Sequence, residues 1–224
     1  MPETAYLALY LDAPLQSWGY ASKFDRRTTL THPTRSGILG MLCAAAGIDR
    51  ADEGGLARVS RAAITVYVFE QRGRLIDYHT VGGGYDTGAT PLNVPHTAEG
   101  KPRGTVITHR EYLESSRFGA IVSGEAPLIA ELGAAMRNPV WGVWLGRKSC
   151  IPSSPVFRGL YPSEAEAAAA LRTAAGTPGG GAVRVVREVS AFADGTDTLM
   201  DVPLSFARRA FAPRRILVET EEDT

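Results

Sequence analysis

Thr34, Arg35, Ser36 and Gly37 stand together where an apolar helix is predicted to begin. The first N–H groups of a helix lack partners within the helix, and they carry a partial positive charge that attracts anions. Arg35 in the first turn opposes that charge, and a bound phosphate would offset the cost. Two interpretations remain open: the helix is capped by Thr34 or Ser36 with Arg35 in solvent, or the helix end binds a phosphate.

A second polar group, Arg147, Lys148 and Ser149, comes at the end of an apolar segment predicted to be a strand. Either these three side chains jointly bind a phosphate backbone, or they form a solvated turn. Nearly all cations of the chain are arginines, which suit forked contacts to phosphate and stacking on bases. Genomic composition alone would also give many arginines. Arg26 and Arg27, in the loop before the helix, are weaker candidates for phosphate contacts.

The histidines offer a different chemistry, the cleavage of RNA without a metal. This reaction needs a base for the 2′-hydroxyl and an acid for the leaving 5′-oxygen, and His79 and His109 would supply such groups. Neighbouring residues of a strand face opposite ways, so Tyr78 and His79 are separated if that segment is a strand. Nothing in the sequence shows that the two histidines meet.

Other functional classes lack their motifs. The four histidines and two cysteines show no zinc-ligand spacing, and no Walker loop, nucleophile elbow or dinucleotide fingerprint occurs. We therefore expect no metal and no cofactor. No secretory signal and no membrane-spanning apolar run is present, and two cysteines are too few for a disulfide framework, so we expect a cytoplasmic protein. The net charge of zero does not by itself predict a nucleic-acid partner.

The predicted elements follow the order strand, helix, strand, strand, helix, strand. This is the α+β, ferredoxin-like plan of the RNA-recognition module. An insertion at about 71–115 would project from the sheet as an arm. We predict a domain at 1–150 and a C-terminal helix-and-strand extension at 151–224. The predicted strands are 5–13, 62–70, 73–81, 107–122 and 139–150, with helices at 33–47, 125–138 and 162–176, and extension strands at 182–189 and 214–220.

Several motifs, taken in order, resemble the CasD-type subunits of Cascade, the type I-E CRISPR surveillance complex. The resemblance runs along most of the chain, although it is weak between Gly82 and Thr105 and, apart from "PLSFARRAFAPRRILVE" (203–219), after Tyr161. The matching segments are "LDAPLQSWG" (11–19), "PTRSGILGMLCAAAGI" (33–48), "DYHTV" (77–81), "HREYL" (109–113) and "LGRKSCIPSSPVFRG" (145–159).

The resemblance implies a ferredoxin-like domain whose insertion is a thumb. It implies a non-catalytic scaffold that binds the repeat-derived 5′ handle of CRISPR RNA. It also implies contacts with the backbone subunit CasC and the large subunit CasA, and only an indirect relation to target DNA. In the type I-C branch the related protein cleaves the repeat, so an endoribonuclease remains the alternative.

The proposed RNA contacts combine these observations. Trp18 would stack on a base, a contact worth about 1–3 kcal/mol, unless it is a core tryptophan. The residues predicted to bind RNA are Gln16, Trp18, Arg26, Arg27, Thr34, Arg35, Ser36, Gly37, His79, His109, Arg147, Lys148 and Ser149.

Overall fold

Strands pair into one sheet in the computed structural model of the protein, and helices pack on both of its faces. The structure describes residues 4–20, 22, 25–81, 105–177 and 183–221. No helix in these ranges has the length and apolar character that crossing a membrane requires. The elements are β1 (Thr4–Gln16), β2 (Arg26–Arg27), α1 (Arg35–Ala46), α2 (Glu53–Val59), β3 (Ala63–Glu70), β4 (Gly73–Val81), β5 (Val106–Glu125), α3 (Ala126–Arg137), β6 (Phe157–Tyr161), α4 (Glu164–Ala174), β7 (Val183–Val189), a 3-10 turn (Phe192–Asp194), β8 (Asp197–Ser205) and β9 (Ala210–Glu221).

The main path of the sheet has the strand order β6-β1-β5-β3-β7-β9-β8. Every neighbouring pair along this path is antiparallel. Two further strands lie beside β5, with β2 parallel to it and β4 antiparallel. Helices α1 and α2 lie between β1 and β3 in the chain, and α3 connects β5 to β6. A mixed fold of antiparallel sheet and few helices, as the sequence predicts, is confirmed at this level.

Strand β1 is apolar on both sides because both faces of the sheet are covered. Leu7, Leu9 and Leu11 join the core formed with α1 and α3. Ala8 and Tyr10 join a second core formed with α4. Successive side chains of a strand point to opposite faces, so a strand buried on both faces reads as a continuous apolar run. The run at 5–13 therefore predicts this strand correctly without any alternation of polar residues.

The longest strand, β5, extends past the main path of the sheet. Its C-terminal half pairs with β1 and β3, while its N-terminal half pairs with the whole of β4. We call the resulting hairpin, residues 73–81 and 106–114, the arm. The predicted insertion at 71–115 includes the arm, and residues 82–104 of that insertion lie outside the described residues.

Helix α1 begins and ends at residues suited to those positions. The Thr34 hydroxyl caps the first turn, accepting a hydrogen bond from the Gly37 N–H at 3.1 Å. Gly47 ends the helix with a φ of 70°, in the left-handed region that favours glycine. One stripe of the helix is buried in the core, as the three- and four-residue spacing predicts, and it contains Ile38, Met41, Leu42 and Ala45.

The segment 139–150 is not a strand, which corrects the prediction. Its N–H groups bond to the end of α1 instead of to the sheet: Val140 donates to Ala45 O at 2.9 Å and Trp141 to Ala44 O at 3.2 Å. The last carbonyls of a helix have no partners within the helix, and this segment supplies them. Its apolar side chains therefore reflect packing near α1. Hydrophobic periodicity alone does not distinguish such a segment from a strand.

The strand that follows α3 is β6, which pairs with β1. It lies beyond residue 150, so the predicted boundary at 150 separates β6 from the sheet to which it belongs. Strand β7 also pairs directly with β3, and β9 and β8 continue the same sheet. In the described residues the C-terminal strands thus extend the central sheet. The predicted strands at 182–189 and 214–220 and the helix at 162–176 are present, while β2, α2, β6 and β8 were not predicted.

Candidate nucleic-acid interface

A groove opens between the N-terminal end of α1, the turn before Cys150 and the hairpin that joins β8 to β9. It consists of two adjoining cavities of about 300 and 530 Å³, and three arginines line it. Arg27 lines both cavities, Arg147 the smaller one and Arg209 the larger one. We call it the basic groove. Its other lining residues are Ser17, Trp18, Gly19, Tyr20, Ser22, Thr34, Ser36, Gly37, Gly146, Met200, Asp201, Phe206 and Phe211.

The turn from Leu145 to Cys150 forms one wall of the basic groove and is fixed to the end of β1. The Leu145 N–H donates to the Cys150 carbonyl at 2.9 Å, and the Ser17 N–H donates to the Leu145 carbonyl at 3.1 Å. Gly146 has a φ of 100°, and a Cβ there would lie 1.7 Å from the Ser17 carbonyl oxygen. The two backbones therefore approach so closely that only glycine fits, and this close approach sets the position of Arg147.

Arg147 is half-buried where the turn meets the base of the arm. Its guanidinium donates to the backbone carbonyls of Glu111 and Arg27, each at 2.9 Å. It also lies over the Tyr112 ring, 4.5 Å from the ring centroid. Arg147 thus joins the turn to β5 and β2, and it combines this structural role with its place in the groove lining.

Exposed cations surround this junction. Arg26 and Arg27 form β2, which pairs with β5 at the arm, and Lys148 and Ser149 are exposed on the turn. Within the described ranges, the charged ends of Arg26, Arg27 and Lys148 form no ion pair with a carboxylate. Exposed cations of this kind suit contacts with a phosphate backbone, which is the role predicted for them.

Arg35 does not face the groove, which corrects its predicted role as a phosphate contact. The residue is 6% exposed, and its guanidinium donates to the carbonyls of Ser60 at 2.7 Å and Ala62 at 2.9 Å. It also pairs with the Glu188 carboxylate at 3.2 Å. Burial lowers the pKa of the Arg35 guanidinium, and the charge of Glu188 opposes that shift. Arg35 therefore joins α1 to the segment before β3 and to β7.

The anion at the N-terminal end of α1 is a carboxylate of the protein itself. Asp201 is buried on β8 and accepts a hydrogen bond from the Arg35 backbone N–H at 2.7 Å. Arg214 binds the same carboxylate with two hydrogen bonds, of 2.7 and 3.0 Å. Asp201 and the Thr34 hydroxyl therefore cap the helix from within. Of the first-turn side chains, Ser36 is the one that remains half-exposed toward the groove.

Gln16 and Trp18 are core residues, so the predicted base stacking by Trp18 is corrected. Gln16 is fully buried and its amide donates to the carbonyls of Leu11 and Ser116. Its side-chain oxygen accepts from the Trp18 indole N–H at 3.1 Å, and Trp18 is 1% exposed. Gly37 makes room for the indole, since a Cβ there would lie 2.8 Å from the ring. The "QSWG" tract thus closes the end of β1.

Replacing Gln16 with leucine is expected to lower the free energy of unfolding by about 1–3 kcal/mol, because the indole N–H and two backbone carbonyls lose a buried partner. Chemical denaturation followed by circular dichroism measures this loss. Gln71→Leu is the control: this exposed glutamine bonds to the Thr31 carbonyl and to Arg184, water can replace both partners, and the change should cost at most about 1 kcal/mol. Equal stability of both variants would contradict the core assignment.

His79 and His109 lie on the arm, on opposite faces of the ribbon. In the register of β4 and β5, Tyr78 is opposite His109 and His79 is opposite Thr108. The Tyr78 and His109 rings meet edge-on with centroids 5.6 Å apart, and the His79 Nδ1 lies 3.3 Å from the Asp77 carboxylate. The two histidines therefore do not share one site as an acid and base pair. No set of three metal-ligating side chains comes together in the described parts of the chain.

The β8–β9 hairpin adds groove residues that were not predicted. Arg209 and Phe211 are exposed at its tip, and Met200 lies on β8. The signal was present in the sequence "FARRAF" at 206–211, where two aromatic residues flank two arginines. Basic residues alternating with aromatic ones are typical of surfaces that bind single-stranded nucleic acid.

Comparison with known proteins places this chain in one family. Residues 6–217 match the family model described as "CRISPR-associated protein (Cas_Cas5)". The chain belongs to this CRISPR-associated family. It is 33% identical over 168 residues to the CRISPR system Cascade subunit CasD of Escherichia coli (strain K12). The aligned region covers 69% of this chain and 70% of that protein.

Solved structures agree with this assignment. A chain of a structure titled "CRISPR RNA-guided surveillance complex" matches with a TM-score of 0.78 and 30% identity, covering 97% of this chain and 90% of the other. A second, titled "Crystal structure of Cas protein", matches with a TM-score of 0.66 and 28% identity, covering 97% and 94%. The resemblance stated from the motifs is therefore confirmed.

Proposed function

We propose that the protein is a non-catalytic RNA-binding scaffold that caps the 5′ handle of CRISPR RNA in a Cascade-type surveillance complex. In that assembly it contacts the backbone subunit CasC and the large subunit CasA, meets target DNA only indirectly, and works in the cytoplasm. The observation that carries the proposal is the basic groove with its exposed cations, in a chain of the same family as a Cascade subunit.

The distribution of charge supports an RNA ligand although the net charge is zero. Arg26, Arg27 and Lys148 surround the junction of the turn and the arm, and Arg147 holds that junction together. Arginine and lysine contacts to phosphates release condensed counterions, which is the main source of affinity for a nucleic-acid backbone. A local cluster of such contacts is sufficient for binding, and the acidic C-terminal residues are far along the chain from it.

The finer architecture is part of the proposal. We assign β1, β3, β5 and β6, with α1 and α3, as the ferredoxin-like unit. Their order in the sheet, β6-β1-β5-β3, and their antiparallel pairing support it, because split βαβ units place the strands in this way. We assign the arm as the base of the thumb, supported by its position beyond the central sheet at the predicted insertion.

The alternative function is a metal-independent endoribonuclease. The edge contact of Tyr78 with His109 and the pairing of His79 with Asp77 are the geometry that favours it. The opposite faces of the two histidines weigh against an acid and base pair built from them. One experiment with repeat RNA separates the scaffold function from the endoribonuclease function.

The experiment is to mix the purified chain with 5′-labelled repeat RNA in EDTA, and to run native and denaturing gels. We expect a shifted RNA that remains intact. Discrete cleavage that disappears in His79→Ala or His109→Ala would make the protein a processing nuclease. Absence of both binding and cleavage would overturn both functions.

The cations of the groove should contribute to binding in a salt-dependent way. We expect Arg27→Ala combined with Lys148→Ala to weaken RNA binding and to reduce the slope of log K against log salt by about 0.7 for each phosphate that the variant no longer neutralises. Filter binding over a series of salt concentrations measures the slope. Arg61→Ala is the matched control, because this exposed arginine pairs with Glu125 away from the groove. Equal slopes for the double variant and the control would contradict the proposed interface.

A further inference from the structure

The larger cavity of the basic groove has apolar walls that phosphate contacts do not use. Met200 and Phe211 line it, and they are 54% and 37% exposed. The half-buried Tyr20 lines the same cavity. Its volume of about 530 Å³ falls in the range of pockets that hold small ligands. These side chains give the cavity an apolar wall beside its arginines.

Charge in this cavity favours an anionic ligand with an apolar part. Arg27 and Arg209 both line it, and within the described residues neither guanidinium has a carboxylate partner. The acidic lining residue, Asp201, is 1% exposed and is bound by Arg214 through two hydrogen bonds. Its negative charge is therefore compensated inside the protein. A nucleotide has the matching chemistry, with a flat base and charged phosphates.

The β8–β9 hairpin, which includes Met200, Arg209 and Phe211, is held in place by contacts with α1, α2 and the segment between them. The Arg50 guanidinium donates to the Phe206 carbonyl at 3.0 Å, and Arg208 pairs with Glu53 at 2.7 Å. The Phe206 ring packs near Gly40 of α1, where an added Cβ would lie 3.5 Å from it. The cavity is thus a formed feature of the fold, so a ligand would meet its walls already in position.

We propose that the larger cavity binds one unstacked nucleotide of the RNA. Its base packs against Phe211 and Met200, and its neighbouring phosphates lie at Arg27 and Arg209. This inference rests on the proposed function and assigns a base-binding site within it. Proteins recognise single-stranded RNA through splayed bases that stack on aromatic and arginine side chains. Phe211 thereby takes the stacking role that the buried Trp18 cannot fill.

The test uses the full chain and repeat RNA that carries 2-aminopurine at one position at a time. The fluorescence of this base analogue changes when it leaves the stack of neighbouring bases and when it packs on an aromatic ring. We expect one position of the RNA to respond strongly to the wild-type protein. Phe211→Ala should abolish that response and weaken binding about tenfold, as expected for the loss of one stacked base.

Matched control variants test whether the fluorescence response depends on the cavity or on residues around it. Phe192→Ala removes another exposed phenylalanine, one that lies against Arg215 outside the groove. Arg61→Ala removes an exposed arginine that pairs with Glu125 away from the groove. We expect both controls to keep the single-position response, and Arg209→Ala to reduce it together with the affinity.

The outcomes distinguish this inference from the proposed function. RNA binding that depends on Arg27 and Lys148 but gives no position-specific response, or a Phe211→Ala variant that behaves like the wild type, would overturn the nucleotide site alone. A chain that binds no repeat RNA would overturn the proposed function and the site with it. Circular dichroism of each variant confirms that the comparison is made between folded proteins.

Discussion

Replacing Arg35 with alanine is expected to lower the free energy of unfolding by about 2–4 kcal/mol, the range for a buried side chain whose loss removes hydrogen bonds and leaves a cavity. The substitution leaves the Ser60 and Ala62 carbonyls without their donor and removes the nearer of two cations beside Glu188, the other being Arg214 at 3.8 Å. It also removes a link between α1 and β7, the strand that joins β9 and β8 to the rest of the sheet. Urea denaturation followed by circular dichroism measures the change.

Two further variants serve as controls for the prediction about Arg35→Ala. Arg61→Ala removes an exposed arginine paired with Glu125 at 3.6 Å, and it should cost at most about 1 kcal/mol. Arg35→Met keeps much of the side-chain volume, so its cost reports the missing charge and hydrogen bonds more than a cavity. An Arg35→Ala protein with wild-type stability and reduced RNA affinity would restore the phosphate role and contradict the structural one.

The elements of the fold were predictable where the signal is local. The β4 segment 73–81 and the start and end of α1 depend on short-range chemistry: strand-forming residues, a threonine cap and a glycine stop. The class of fold follows from the order of these elements. The segment 139–150 was missed because its backbone bonds to the end of α1, a partner that is distant in sequence.

The site was less predictable because the role of each side chain depends on distant partners. The Thr34–Gly37 cluster has the residue types of a phosphate site, yet its anion is Asp201, which stands 166 residues after Arg35 in the chain. Trp18 is buried because Gly37 leaves space for its ring. By contrast, Lys148 is exposed on a short turn, and its contact with RNA stays a prediction. Residue types located the region of the basic groove but not which side chains line it.

Replacing Gly146 with alanine is expected to affect stability and RNA binding together. A Cβ at this position would lie 1.7 Å from the Ser17 carbonyl oxygen, and the φ of 100° is unfavourable for any side chain. We expect a loss of about 3 kcal/mol in the free energy of unfolding, from the backbone strain and the overlap combined. Because the overlap is with backbone, relief requires the turn to move away from the end of β1.

That movement would displace Arg147 from the Glu111 and Arg27 carbonyls and carry Lys148 with it. RNA affinity should therefore fall further in Gly146→Ala than in Lys148→Ala, which removes one charge and leaves the turn in place. Gly176→Ala is the control for the backbone, since its φ is 76° and no atom lies within 4 Å of the added Cβ. It should cost about 1–2 kcal/mol without changing RNA affinity. Destabilisation of Gly146→Ala with unchanged RNA affinity would show that the turn does not belong to the RNA interface, because its geometry would then be irrelevant to binding.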